Sequence, residues 1–145
     1  MTLLLNGFEL AKQCRAELAE RVKVMPRAPK LAVILVGDNP ASAIYVRNKE
    51  KAAAEVGVES LVYRLDSATQ EELTALIKQL NADETVDGIL VQMPLPAPLN
   101  EREILQTINP AKDVDGFHPL NLGKLLIGEP APVACTPKGC MRLIR

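Results

Sequence analysis

Tryptophan is missing from the 145 residues, and Phe, Tyr and His are scarce at two, two and one. One histidine, His118, with three cysteines, Cys14, Cys135 and Cys140, and no C-x-x-C pair excludes an ordinary zinc site. An odd, small number of cysteines also excludes a disulfide framework and points to free thiols in a reducing, cytoplasmic setting. Charge of one sign is lacking too: 17 Lys+Arg stand against 18 Asp+Glu, for a net charge of −1. No basic cluster suggests a nucleic-acid or polybasic membrane surface. The longest apolar run, Leu31 to Val36, is far too short to span a bilayer, and the start MTLLLNGFEL has neither the basic head nor the apolar core of a signal peptide. What is present is 48% hydrophobic and 24% charged residues, the balance of a folded globular domain. At this length a single core can bury roughly 70% of the chain's surface without covalent staples.

The order of elements follows from punctuation. Asn6 and Glu9 resemble a capping box ahead of a helical stripe through Ala11, Cys14, Leu18, Val22 and Met25, which Pro26 and Pro29 end. The run Leu31–Val36 reads as a strand buried on both faces. Asn39 and Pro40 suit a helix start, and Gly57 its stop. Ser60–Leu65 predicts a second strand, Ser67 or Thr69 a helix cap, and Val86–Gln92 a third strand. Asn100 and Glu103 open a short helix. Residues 110–135 read mostly as loop, and Thr136-Pro137 as a helix start with Thr136 as its cap. Strands alternating with helices predict an α/β fold, a three-layer domain whose mainly parallel sheet is flanked by helices. The whole of 1–145 reads as one domain. Its last apolar pattern, Cys140, Leu143 and Ile144, carries no stop signal, so the reading expects a domain cut from something longer, with a fraying end as the alternative.

In open parallel sheets ligands sit beyond the carboxyl ends of strands. That selects Gly37-Asp38-Asn39, the segment after Leu65, and Gln92-Met93-Pro94. Gln92 ends an apolar run and needs partners if buried; bonding to the backbone of the proline turn would also satisfy it. Tyr45, Lys49, Ala52 and Val56 share one helix face. A lysine in such a stripe is partly desolvated, which favours its neutral amine and base chemistry, unless its charge snorkels to water. Tyr45 and Lys49 also match the Tyr-x-x-x-Lys pair of short-chain dehydrogenases, but no G-x-G-x-x-G loop exists here, and that family is set aside. Asp113-Val-Asp115-Gly116 fits either recognition of a ligand edge with two N–H donors or a plain Asx-turn, and lacks the further ligands of an EF-hand. Cys135 has no basic neighbour to activate it.

Six segments occur in register: Val36-Gly-Asp-Asn-Pro-Ala-Ser42, Tyr45-Val-Arg-Asn-Lys49-Glu-Lys-Ala52, Glu55-Val-Gly57, Asp87-Gly-Ile-Leu-Val-Gln92-Met-Pro-Leu-Pro96, Lys112-Asp-Val-Asp115-Gly-Phe-His-Pro119 and Cys135-Thr-Pro-Lys-Gly139. Together they resemble the N-terminal catalytic domain of the bifunctional methylenetetrahydrofolate dehydrogenase/methenyltetrahydrofolate cyclohydrolase family. Ala134 stands where that family usually has proline. The resemblance implies NADP-dependent oxidation of 5,10-methylenetetrahydrofolate and hydrolysis of the methenyl product to 10-formyltetrahydrofolate, in one-carbon metabolism that feeds purine biosynthesis. It implies that Lys49 is the catalytic lysine, that Tyr45 stacks on the folate, that Gln92 supports the lysine and that Asp115 binds the pterin. It places NADP in a C-terminal Rossmann-type domain absent from this chain. It implies a homodimer for the full-length family, largely through that other domain, and leaves a monomer open here. The competing expectation is a domain that binds folate or a partner without turnover.

Overall fold

The computed structural model describes residues 4–144. The chain runs α1 (Gly7–Lys23), β1 (Lys30–Val36), α2 (Pro40–Glu55), β2 (Glu59–Leu65), α3 (Gln70–Ala82), β3 (Gly88–Val91), α4 (Glu101–Thr107), α5 (Pro119–Leu126) and α6 (Cys135–Ile144). The three strands form one parallel sheet in the order β2-β1-β3. Central β1 is the continuous apolar run, as a strand covered on both faces must be. Its side chains alternate between two cores. Val33 and Leu35 pack with Val46 of α2 and Leu90 of β3. Ala32, Ile34 and Val36 pack with Leu73, Ile77 and Leu80 of α3 and Ile104 of α4. This is the three-layer α/β arrangement expected, with α2 on one face and α3 and α4 on the other.

Several helix starts are built as their sequences suggest. The Asn6 side chain accepts from the amides of Phe8 and Glu9, and that of Asn39 from Ala41 and Ser42. Thr69 and Glu72 form a reciprocal capping box on α3. Gly57 ends the second helix with φ +82°, a conformation that glycine adopts without steric cost.

Residues 110–135 are mostly loop as expected, but the short helix α5 lies within them; His118 Nδ1 accepts from the Leu120 amide at 3.1 Å and Pro119 takes the first turn. Three expectations need correction. Helix α6 starts at Cys135, so Thr136 is inside it rather than its cap. Met25 lies beyond the end of α1, whose last turn closes at Val24. The third strand is only Gly88–Val91, which leaves Gln92 just past its carboxyl end. The apolar start Thr2–Leu5 lies partly outside the described residues, and so does Arg145, where α6 was expected still to be running.

The segment after α4 reaches the sheet by a route the sequence hides. Lys112 Nζ donates to the carbonyls of Leu80, Asn81 and Asp83 at 2.7–2.9 Å, closing the end of α3 with a cation where the helix dipole is negative. The Ile89 amide donates to the Lys112 carbonyl at 2.7 Å, and Ile89 and Asp113 form an isolated parallel bridge. Residues 112–116 are thereby pinned along the free edge of β3.

Candidate active site

That pinned loop, α2 and the start of α6 enclose a cavity of about 780 Å³ on the α2 face of the sheet. Its volume lies in the range of small-molecule sites. Tyr45, Lys49, Gln92 and Asp115 all line it. Four residues from three separate stretches of sequence are thus brought together. The floor between them is apolar, with Leu31, Leu90, Ala52 and Val56.

Each polar group is held by a distinct element. Lys49 stands one helical turn below Tyr45 on α2. Its Nζ donates to Gln92 Oε1 at 3.1 Å, and Gln92 Nε2 donates to the Met93 carbonyl at 2.7 Å. Gln92 is thus bonded on both sides: the proline turn takes its NH2, and the amide oxygen is turned toward the lysine. The Gln92 oxygen takes one N–H of the Lys49 amino group and leaves the rest of that group facing the cavity. Tyr45 is 62% exposed at the mouth, with its ring free to meet a flat ligand.

The two aspartates of Asp113-Val-Asp115-Gly116 have separated roles. Asp113 is buried in hydrogen bonds within its own loop. Asp115 faces the cavity, half-buried, with its carboxyl pushed up from the usual carboxylate range. Burial is the main cause; the Lys49 charge opposes it, and the Asp113 charge adds to it. Because the folded chain holds this proton more tightly than the unfolded one, the contribution to stability is complete below the unfolded value of about 3.9 and is lost as pH rises through the folded value. Asp115→Asn is neutral throughout. It should melt at a higher temperature than the unaltered chain at pH 7, with the gap closing by pH 4. A gap that stays constant between those pH values in thermal unfolding would contradict this.

Sequence reasoning missed Arg15 and Leu18, which reach the cavity from α1. Arg15 Nε pairs with Glu55 at 3.0 Å across two helices, and no local pattern announces such a pairing. Thr136 and Cys135 line the opposite wall from the first turn of α6. The turn Gly37-Asp38-Asn39 does not join this site. It borders a separate shallow cavity of about 410 Å³ with Pro94 and Pro96. The segment after Leu65 lines neither cavity. Among the described residues no helix is long and apolar enough to cross a membrane, and no His/Cys/Asp/Glu cluster could hold a metal ion.

Comparison with known proteins agrees in sequence and in shape. Residues 5–115 match the family model for tetrahydrofolate dehydrogenase/cyclohydrolase, catalytic domain. Bifunctional protein FolD of Geobacillus thermodenitrificans is 54% identical over 98% of this chain and 51% of its own length. The crystal structure of the FolD methylenetetrahydrofolate dehydrogenase/cyclohydrolase from Campylobacter jejuni superimposes with a TM-score of 0.93 at 49% identity, covering 98% of this chain and 52% of that one. The Trypanosoma brucei methylenetetrahydrofolate dehydrogenase-cyclohydrolase, solved with NADP cofactor and an inhibitor, gives a TM-score of 0.91 at 36% identity, with 99% and 51% covered. The chain spans about half the length of the relatives it matches. With the family model matched over most of the chain and the fold shared throughout, the chain belongs to the tetrahydrofolate dehydrogenase/cyclohydrolase family, to its catalytic domain.

Proposed function

We propose that the cavity holds the pterin end of a tetrahydrofolate bridged by one carbon between N5 and N10, and that this chain is the substrate-binding and catalytic half of a methylenetetrahydrofolate dehydrogenase/methenyltetrahydrofolate cyclohydrolase. The observation that carries the reading is the Lys49–Gln92 bond on the wall of a cavity that also presents Asp115. In this reading Asp115 accepts from the amino group and the adjacent ring N–H of the pterin. One carboxylate matches such a pair with two parallel bonds. Tyr45 covers a flat ring of the ligand, and Lys49 stands beside the bridging carbon.

The hydrolytic half of the chemistry follows from these positions. The methenyl bridge is an N–C–N cation, and water adds to its carbon. The Lys49 lone pair takes the proton that the water gives up. Cleavage of the C–N5 bond leaves its electron pair on N5, to which the lysine returns the proton; the carbinol hydroxyl becomes the carbonyl as its own proton passes to solvent, and the formyl group stays on N10. Gln92 keeps the amine aimed through the cycle, since its oxygen accepts from the lysine in either protonation state.

The nicotinamide cofactor finds no cradle in these residues. The sequence has no G-x-G-x-x-G loop. The two cations lining the cavity are already engaged, Lys49 with Gln92 and Arg15 with Glu55. The reading assigns NADP to the half of the relatives that this chain does not span. On its own the chain should reduce NADP weakly or not at all with methylenetetrahydrofolate; a rate typical of enzymes would refute this. The same reading places the protein in the cytoplasm, in one-carbon supply to purine synthesis, and with its second half in a homodimer. The three free thiols suit that compartment.

Calorimetric titration with 5-formyltetrahydrofolate tests the proposal. Asp115→Ala should weaken binding by ~1.5–3 kcal/mol, roughly 10- to 150-fold, the range for a hydrogen bond to a charged group. Equal affinity in the variant, or no binding by the unaltered chain, would remove the basis for a folate site.

A further inference from the structure

Among the described residues, Asp113 is the one buried carboxylate that the chemistry above does not use. It is 2% exposed, yet both of its oxygens accept hydrogen bonds. Oδ1 accepts from the Gly116 amide at 3.1 Å, and Oδ2 from the His118 amide and from Asn121 Nδ2, both at 2.9 Å. Asn121 is itself 3% exposed, and its amide also donates to the Pro110 carbonyl at 2.9 Å. Asp113 therefore ties the residues on either side of Asp115 to the first turn of α5, while the Ile89 bridge ties the loop to the sheet.

We propose that Asp113 is a positioning residue for ligand recognition: its three hydrogen bonds fix the loop that presents Asp115 to the cavity. The inference rests on the folate reading for the identity of the ligand, but not for the loop geometry. A carboxylate is required at this place. Its two oxygens meet three N–H donors, and an amide would offer one oxygen and turn an N–H toward another N–H. Asp113 also acts on Asp115 by charge. The groups that face Asp115 are Lys49 from α2, Gln92 from the end of β3 and Asp113 from its own loop, with the Arg15–Glu55 pair and the first turn of α6 on the remaining wall. Removing the Asp113 charge leaves Lys49 less opposed and lowers the pH at which Asp115 ionises.

The test uses the 145-residue chain and three readouts. Thermal unfolding reports stability, calorimetry reports 5-formyltetrahydrofolate binding, and the side-chain carboxyl carbon resonance of Asp115, assigned through Asp115→Asn, reports its titration. Asp113→Asn should bind at least tenfold more weakly and move the Asp115 titration to lower pH. A lowered melting temperature with unchanged affinity and unchanged Asp115 titration would reduce Asp113 to a fold-stabilising group and overturn the proposal. Should Asp113→Asn fail to fold, Asn121→Ala removes one of the three bonds and keeps both charges. It should shift the Asp115 resonance and weaken binding at least threefold, and an unchanged resonance and affinity would overturn the proposal equally. Absence of folate binding by the unaltered chain would refute the ligand reading alone, since the Asp115 titration still decides whether Asp113 governs its neighbour.

Discussion

Lys49→Met should lower hydrolysis of methenyltetrahydrofolate by roughly 10²- to 10⁴-fold, the contribution of a positioned general base. The measurement belongs on a protein whose cavity is walled on all sides, so the variant is best made in this chain joined to the second half of the Geobacillus thermodenitrificans relative. Loss of the methenyl chromophore follows the reaction. Methionine keeps the length and apolar stem of lysine and removes only the amine, so the packing beside Ala52 and Ala53 is preserved. Affinity for 5-formyltetrahydrofolate should change much less than the rate, since Asp115 and Tyr45 are untouched. Gln92 gives the companion result. Gln92→Leu leaves the amine in place but frees it from its 3.1 Å tether, so the rate should fall by less than in Lys49→Met. A Lys49→Met protein that hydrolyses substrate at the unaltered rate would exclude the amine from the chemistry.

Much of this site is legible in the sequence because it is built on regular elements. Tyr45 and Lys49 are four apart on a helix with a clear cap and stop, so their shared face follows from helical geometry alone. Gln92 stands out because it breaks an apolar run at a strand end. Asp113 and Asp115 are different. Two aspartates two residues apart in an irregular segment give no signal as to which is buried. That is decided by the Ile89–Lys112 hydrogen bond and by Asn121, eight residues downstream of Asp113. Helix α5 was illegible for a related reason. Its buried residue is polar Asn121, while Leu120, Leu122, Leu125 and Leu126 are all exposed, the reverse of an amphipathic pattern. Its cap is a histidine rather than a member of the usual Ser, Thr, Asp and Asn set. The Arg15–Glu55 pair depends on how two helices cross, and local pattern carries nothing about that.

Gly116→Ala should be the most damaging single-methyl change in the site, at about 2–3 kcal/mol of stability. Gly116 has φ +68°, where a Cβ costs about 1–2 kcal/mol. The added carbon would also stand 2.6 Å from the Pro132 carbonyl oxygen and 3.2 Å from the Ala134 amide. Both neighbours are backbone, so no rotamer change relieves the contact, and residues 132–134 must move. Those residues lead into Cys135 and Thr136, so the cavity loses the register of two walls at once. A melting temperature lower by roughly 5–10 °C is expected, at about 2–4 °C per kcal/mol for a chain near this size. Gly88→Ala is the informative contrast. Its Cβ would fall 2.5 Å from Val114 Cγ1, a side-chain atom in the same loop, an overpacking cost of about 1–3 kcal/mol. Adding Val114→Ala removes the obstructing atom and should recover most of that loss, whereas no second side-chain change should rescue Gly116→Ala. The double-mutant comparison by thermal unfolding reads the coupling directly. A Gly116→Ala chain as stable as the unaltered one would mean that the 113–117 loop and the 130–134 segment are not held against each other, and Asp115 would lose the rigid frame on which its role depends.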